Sequence, residues 1–370
     1  MTARSRLIAV LCAGFAFCAA ALPYEINADG SGKTPPSLWR DNGDNTVSDS
    51  ATGLMWVKER GPRVTWADGC RSAAACRAGG YSDWRMPTIK ELYSLILFSG
   101  ANGRDFRSTA GFEPFIDSNV FDFAYGSGEG DERVIDAQDW SATRDTGAPR
   151  RMARIYGVNF TDGRLKAYPL NTPRTDSPKK LFVRYVRGNP AYGKNEFHDN
   201  NNGTVTDRAT GLVWCRSDSG KGLDYPHALE WIADLNRRKY LGHNDWRLPT
   251  VKELQSLVDY SRSPAVTSSP AIDPVFSCTR ISNEAGESDY PCYWSSTMLK
   301  SGPGREEPCY VAFGRAMGLM HGEWTDVHGA GAQRSDPGTG DPRQYSRGRG
   351  PQGDAVRIYN FVRPVRRPAK

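Results

Sequence analysis

Two stretches of the chain repeat one pattern of apolar and polar positions. The first is Gly80-Tyr81-Ser82-Asp83-Trp84-Arg85-Met86-Pro87-Thr88-Ile89-Lys90-Glu91-Leu92. The second is Gly242-His243-Asn244-Asp245-Trp246-Arg247-Leu248-Pro249-Thr250-Val251-Lys252-Glu253-Leu254. After the proline, apolar residues recur at helical spacing: Ile89, Leu92, Leu95 and Ile96 in one, Val251, Leu254, Leu257 and Val258 in the other. That period predicts a helix with one buried face in each stretch. Thr88 and Thr250 each stand three residues before a glutamate, Glu91 and Glu253, which is the signature of a capping box. The proline holds the residue before it extended, so the helices are expected to begin at Thr88 and Thr250.

The duplication extends well beyond this motif. Asp41 to Trp56 answers Asp199 to Trp214, and each reads as a hairpin with Asn-Gly turn chemistry, followed by a strand Leu-x-Trp. A further helix is expected near Thr65-Trp66 in the first copy. In the second, Ala228, Trp231, Ile232 and Leu235 define its face and Asp224 its cap. Downstream, Trp140-Ser141 matches Trp294-Ser295. Each copy is then expected to carry a hairpin, at Arg154 to Phe160 and at Cys309 to Phe313, and closes on Val183-Arg184-Tyr185-Val186-Arg187 or Val362-Arg363-Pro364-Val365-Arg366. The expected division is a first domain at 41–187, a linker at 188–196 and a second domain at 197–367. The second carries a Gly-, Pro- and Arg-rich insertion near 325–354, too poor in large apolar residues to predict anything but a mobile loop.

Residues 1–21 combine Arg4 and Arg6, the apolar run Leu7 to Ala21 and a small-residue site at Ala19-Ala20-Ala21. They read as a cleaved signal peptide followed by a leader at 22–40. The run is shorter than the ~20 residues a span needs. The expected protein is therefore exported, periplasmic or at the cell surface, with no integral span. Among 370 residues, 38 Gly, 24 Pro and 10 Trp suggest loop-rich domains held by aromatic anchors, and the net charge of +6 favours anionic partners. No nucleic-acid partner is expected.

Six cysteines lie beyond the signal: Cys70, Cys76, Cys215, Cys278, Cys292 and Cys309. In an exported chain they read as disulfides, with Cys70–Cys76 closing a local loop and the pairing of the other four open. No Cys-x-x-Cys and no histidine pair at ligand spacing occurs, so neither metal nor cofactor is expected. The alternative, a calcium loop using Asp41, Asp44 and Asp49, is weakened because several equivalent positions in the second copy are Asn.

This order of motifs resembles the Legionella collagen-like (Lcl) C-terminal domain family. The residues that carry it are Thr-Gly-Leu-Met-Trp at 52–56 and Thr-Gly-Leu-Val-Trp at 210–214, Asp-Trp-Arg-(Met/Leu)-Pro-Thr at 83–88 and 245–250, Trp-Ser at 140–141 and 294–295, and the closing Val/Arg strands. The resemblance implies an α+β fold of two tandem C-type-lectin-like domains. Each would have about two helices packed on small antiparallel sheets and would pair its terminal strands. It also implies an exported or surface binding module, and the family's best-known relative looks like an adhesin for sulfated polysaccharides. The Glu-Pro-Asn and Trp-Asn-Asp signatures of calcium-dependent sugar chelation are absent.

Trp84-Arg85 and Trp246-Arg247 could form an aromatic platform beside a guanidinium. A shared scaffold explains their repetition better, and the same reading applies to Trp56, Trp140, Trp214 and Trp294. Arg184, Arg187, Arg363 and Arg366 alternate with valine and are the candidate ligand residues, expected to form a basic stripe on each closing strand. Ser295 and Ser296 lack a Gly-x-Ser-x-Gly frame, and the five histidines do not recur between copies. No catalytic residue is assigned; an enzyme on a formylglycine-generating-like fold is the lesser alternative. The expected function is non-enzymatic binding of an anionic polysaccharide or another envelope ligand, with a structural or protein-interaction module of an envelope assembly as the alternative.

Overall fold

The computed structural model describes residues 39–148, 152–172 and 175–368. The predicted signal peptide and most of the leader lie outside these residues. The first copy begins two residues before the expected boundary, because Trp39–Asp41 is already a strand paired with Thr46–Asp49. The fold is α+β, with helices on mainly antiparallel sheets in which Gln138–Asp145 and Leu181–Val183 form a parallel pair, and it is built twice.

In each copy the opening hairpin pairs with the closing strand to make a four-stranded sheet. The first sheet runs Trp39–Asp41, Thr46–Asp49, Leu54–Val57, Val186–Gly188. The second runs Phe197–Asp199, Thr204–Asp207, Leu212–Cys215, Val365–Arg366. The registers correspond: Trp56 faces Val186, and Trp214 faces Val365. Helix α1 (Trp66–Ala75) is capped by Thr65, and helix α2 (Ile89–Ser94) by Thr88. In the second copy, α3 (Tyr225–Arg237) is capped by Asp224 and α4 (Val251–Leu257) by Thr250, and α5 (Pro264–Thr267) follows. Both capping boxes are complete. All eight residues of the predicted apolar faces are buried.

One larger sheet joins the copies. Its order is Cys292–Gly302, Arg305–Ala312, Gln333–Ser335, Arg164–Pro169, Arg154–Asn159, Gln138–Asp145, Leu181–Val183, Gly61–Val64. The central strand Gln333–Ser335 comes from the insertion expected to be mobile. It pairs with Arg305–Ala312 on one side and meets the first copy at Gln333–Leu165 on the other. Low apolar content misleads here because the buried polar groups pair with one another. His328 Nε2 lies 2.6 Å from Asp354 Oδ1, Arg334 also pairs with Asp354, and Tyr310 donates to Asp336 at 2.7 Å. Ala330 and Ala332 are buried, and a side chain at Gly331 (φ +96°) would collide with the Tyr260 ring.

No disulfide occurs among the described residues, and all six cysteines are free thiols. The expected Cys70–Cys76 bridge fails on geometry. Both residues lie along α1 and its C-cap, where six residues rise about 9 Å, beyond the ~7 Å that a disulfide tolerates between Cα atoms. Of the other four thiols, Cys215 and Cys278 lie on either side of the Ser277 N–H to Arg216 carbonyl bond and both touch Arg363. Cys309 lies near Gln333, Cys292 near Arg357 and Cys278 near Arg363, and Cys215 is buried on Leu212–Cys215. No helix among the described residues is long and apolar enough to cross a membrane.

Candidate functional site

The repeated motif assembles the same local structure in both copies. Trp84 and Trp246 are buried, and each indole N–H donates to a carbonyl six residues earlier, Ala78 and Tyr240. Arg85 grips Glu91 with two bonds of 2.7 and 2.6 Å, and Arg247 grips Glu253 at the same distances. The same glutamates complete the capping boxes. The Pro87 and Pro249 carbonyls accept from Ala142 and Ser296 N–H. Thr143 and Thr297 accept from the first N–H of α2 and α4. Trp56, Trp140, Trp214 and Trp294 are fully buried. The Ser295 and Ser296 hydroxyls donate to the carbonyls of Cys309 and Pro249.

The basic stripes do not form. Arg184 and Arg363 are buried, 2% and 0% exposed. Arg184 donates to the carbonyls of Val57, Lys58 and Asp122; Arg363 donates to those of Cys215, Arg216 and Ser277. Burial depresses the Arg184 pKa to about 10. At Arg363 burial acts the same way, but Tyr293, Cys278 and Asp218 outweigh it and the pKa rises. Arg187 and Arg366 turn outward and pair with the motif aspartates Asp83 and Asp245 at 2.6 and 2.7 Å. Residues three apart in an extended chain point to opposite faces, and the first copy's chain also breaks between Leu181–Val183 and Val186–Gly188. In the hairpins, Asp41, Asp44 and Asp49 accept N–H groups of their own turns, and Asp41 pairs with Lys58 at 2.6 Å.

One motif side chain works at a distance. Lys90 and Lys252 occupy the second position of α2 and α4, and each crosses to the other copy. Lys90 Nζ donates to the Ser256 carbonyl at 2.8 Å, and Lys252 Nζ to the Ser94 carbonyl at 2.9 Å. Each ammonium thus caps the C-terminal end of the opposite helix, where cations are favoured. The exchange is reciprocal, as at an interface between two identical subunits. Lys90 also donates to Gly193 O and Asn195 Oδ1 in the linker, at 3.0 and 3.1 Å, which uses all three of its protons. Burial pushes its pKa down to about 8, with Asp207 and Asp259 opposing.

A cavity of about 520 Å³ opens at this junction. Two walls are equivalent faces of the repeated helices, Lys90, Tyr93 and Ser94 against Lys252, Gln255 and Ser256, at spacing i, i+3, i+4. The linker from Asn189 to Glu196 forms a third wall, with Arg208 at its rim. Four cations line the cavity, Lys90, Lys194, Arg208 and Lys252, against one carboxylate, Glu196. Its volume falls within the ~300–1,000 Å³ of small-molecule sites.

None of the expected ligand residues lies here. Sequence reasoning had Lys90 and Lys252 inside its motif but gave them no role. The available signal was a lysine in the first turn of both helices, where the macrodipole disfavours a cation and a distant acceptor is needed. Lys194 and Arg208 carry no such signal.

The model of the family described as the Lcl C-terminal domain matches residues 45–187 and 203–325. No curated protein and no solved structure matches the chain. The second match ends where the insertion begins, so the strand Gln333–Ser335 lies outside the family pattern.

Proposed function

Because the chain belongs to the Lcl C-terminal domain family, in two tandem copies, we propose that it is an exported, non-enzymatic binding protein whose copies together hold an anionic envelope ligand, a glycan foremost. The reading rests on the excess of cations around the cavity between α2 and α4. Lys90 is committed to protein acceptors and supplies field rather than contacts. Lys194 and Arg208 are exposed at the rim. Arg208 meets Glu196 only at 3.4 Å between exposed side chains, and such a pair holds an arginine weakly. An anion at this rim gains two cations and loses little.

The test is binding of the mature chain to a panel of sulfated, uronic and neutral glycans at low and moderate salt, with and without chelator. Salt-sensitive, chelator-insensitive binding to the acidic members, weakened in Lys194→Gln and Arg208→Gln, is expected. Failure of every glycan to bind would move a structural or protein-interaction role to first place.

A further inference from the structure

The sequence holds three Asn-Gly pairs, beginning at Asn42, Asn102 and Asn202. Asparagine is thermolabile, and most of all before glycine, which has no side chain to keep its backbone nitrogen from the carboxamide. The fold treats the three pairs differently. Asn42 has both amide protons engaged: Nδ2 donates to Thr46 Oγ1 and Ser48 Oγ at 2.9 and 3.0 Å. Asn102 is 6% exposed, and Phe112 and the Ala110 carbonyl crowd Gly103. Asn202 is exposed, and its Nδ2 donates to no acceptor among the described residues. Its Oδ1 accepts from Thr204 N–H and Thr204 Oγ1 at 3.1 and 2.7 Å. Those donors sit where negative charge develops when a nucleophile adds to Cγ, so they favour the addition. The first copy has Asp44 at the equivalent place. Asp44 Oδ1 accepts from the N–H and hydroxyl of Thr46, and the flanking positive-φ residues recur, Gly43 and Asn45 against Asn201 and Gly203.

We infer that Asn202 is a modification site, which deamidates through the Gly203 nitrogen, and that the second copy accepts the aspartate product as the first accepts Asp44. The Gly203 nitrogen, its proton passed to hydroxide, attacks Asn202 Cγ. The Cγ–Nδ2 bond breaks, and Nδ2 leaves as ammonia with a proton from water, which restores the hydroxide and closes a succinimide. Water then opens the ring at either carbonyl, giving aspartate or isoaspartate. Water is the only co-reactant consumed, and nothing is oxidised or reduced. The aspartate keeps its Oδ1 on Thr204 and adds one negative charge to the turn. The isoaspartate lengthens the backbone there by one methylene.

The experiment is incubation of the full chain in heavy-oxygen water at mildly alkaline pH, folded and in denaturant, followed by peptide mapping of all three pairs by mass spectrometry. Thermal melts compare Asn202→Asp with wild type. In the folded chain the acidic product, carrying one heavy oxygen, should gather at Asn202, and isoelectric focusing should show an acidic shift of one charge. In denaturant the lead of Asn202 over Asn42 and Asn102 should collapse. Asn202→Asp should melt with wild type. Equal conversion of Asn42 and Asn202 in the folded chain overturns the inference, and so does a folded chain in which Asn202 stays intact. A lead for Asn202 that persists unchanged in denaturant overturns it too, since local sequence rather than the fold would then set the rate. A lower melting temperature for Asn202→Asp overturns the tolerance read from Asp44.

Discussion

The buried arginine of the closing strand gives the sharpest test of scaffold against ligand site. In Arg363→Met, three carbonyls that now accept from the guanidinium, those of Cys215, Arg216 and Ser277, lose their donor. Asp218, 3.9 Å from the guanidinium, loses its nearest cation. Each buried acceptor left bare costs about 1–3 kcal/mol. Removing the desolvated charge returns part of this, so the net falls near the ~3–5 kcal/mol typical of breaking a buried charge pair from one side. The sheet shared by the copies makes one melting transition the expectation. At about 2.1 cal/mol/K per residue over roughly 330 residues, that loss lowers the midpoint by about 4–7 °C. If the second copy melted alone, roughly 170 residues would double the shift to about 8–14 °C. Differential scanning calorimetry of wild type, Arg363→Met and the equivalent Arg184→Met measures both the shift and the number of transitions, and glycan binding at 10 °C measures the site. An Arg363→Met chain that melts within about 1 °C of wild type but no longer binds would refute the reasoning and restore the basic stripe.

Other outcomes follow from the same geometry. Thr250→Ala removes the acceptor for Glu253 N–H and should cost about 1 kcal/mol in chemical denaturation; no loss would mean that Glu253 alone holds the turn. Cys70 and Cys76 should alkylate independently in the folded, unreduced chain, and a cross-linked peptide joining them would show that α1 is unwound. Burial holds His328 near pKa 3 despite its bond to Asp354. The unfolded chain therefore takes up that proton first: the contribution is present above pH 6.5 and is lost as pH falls from 6.5 toward 3, on the order of 5 kcal/mol in all. His328→Gln should flatten that limb of the stability–pH curve, and an unchanged slope would assign it to other groups.

What the sequence revealed and what it concealed divide along a physical line. Local rules located the helices: Thr88 with Glu91 and Thr250 with Glu253 closed their capping boxes, and every residue of the two apolar faces is buried. Duplication located the copies, because the same residues satisfy the same neighbours twice. What stayed hidden depended on residues far apart in the chain. Arg184 and Arg363 looked like surface charge because the carbonyls they serve lie on other segments. The insertion looked unstructured because its order comes from polar pairs such as Arg334 with Asp354 and from small residues fitted under Tyr260, which no hydrophobic period records. The cavity exists only where α2, α4 and the linker meet, so neither copy read alone could disclose it.

The strand Gln333–Ser335 also sets an order of events in time. Its first-copy neighbour, Leu165 on Arg164–Pro169, is made roughly 170 residues earlier, a separation that places this pairing among the slowest to form. Until the insertion is in place, the first copy carries Arg164–Pro169 as an open edge. An open edge invites pairing with another nascent chain. Carrying the closing strand on the same polypeptide keeps its effective concentration high while the edge is bare, which gives a kinetic reason for two copies to travel as one chain rather than as separate subunits.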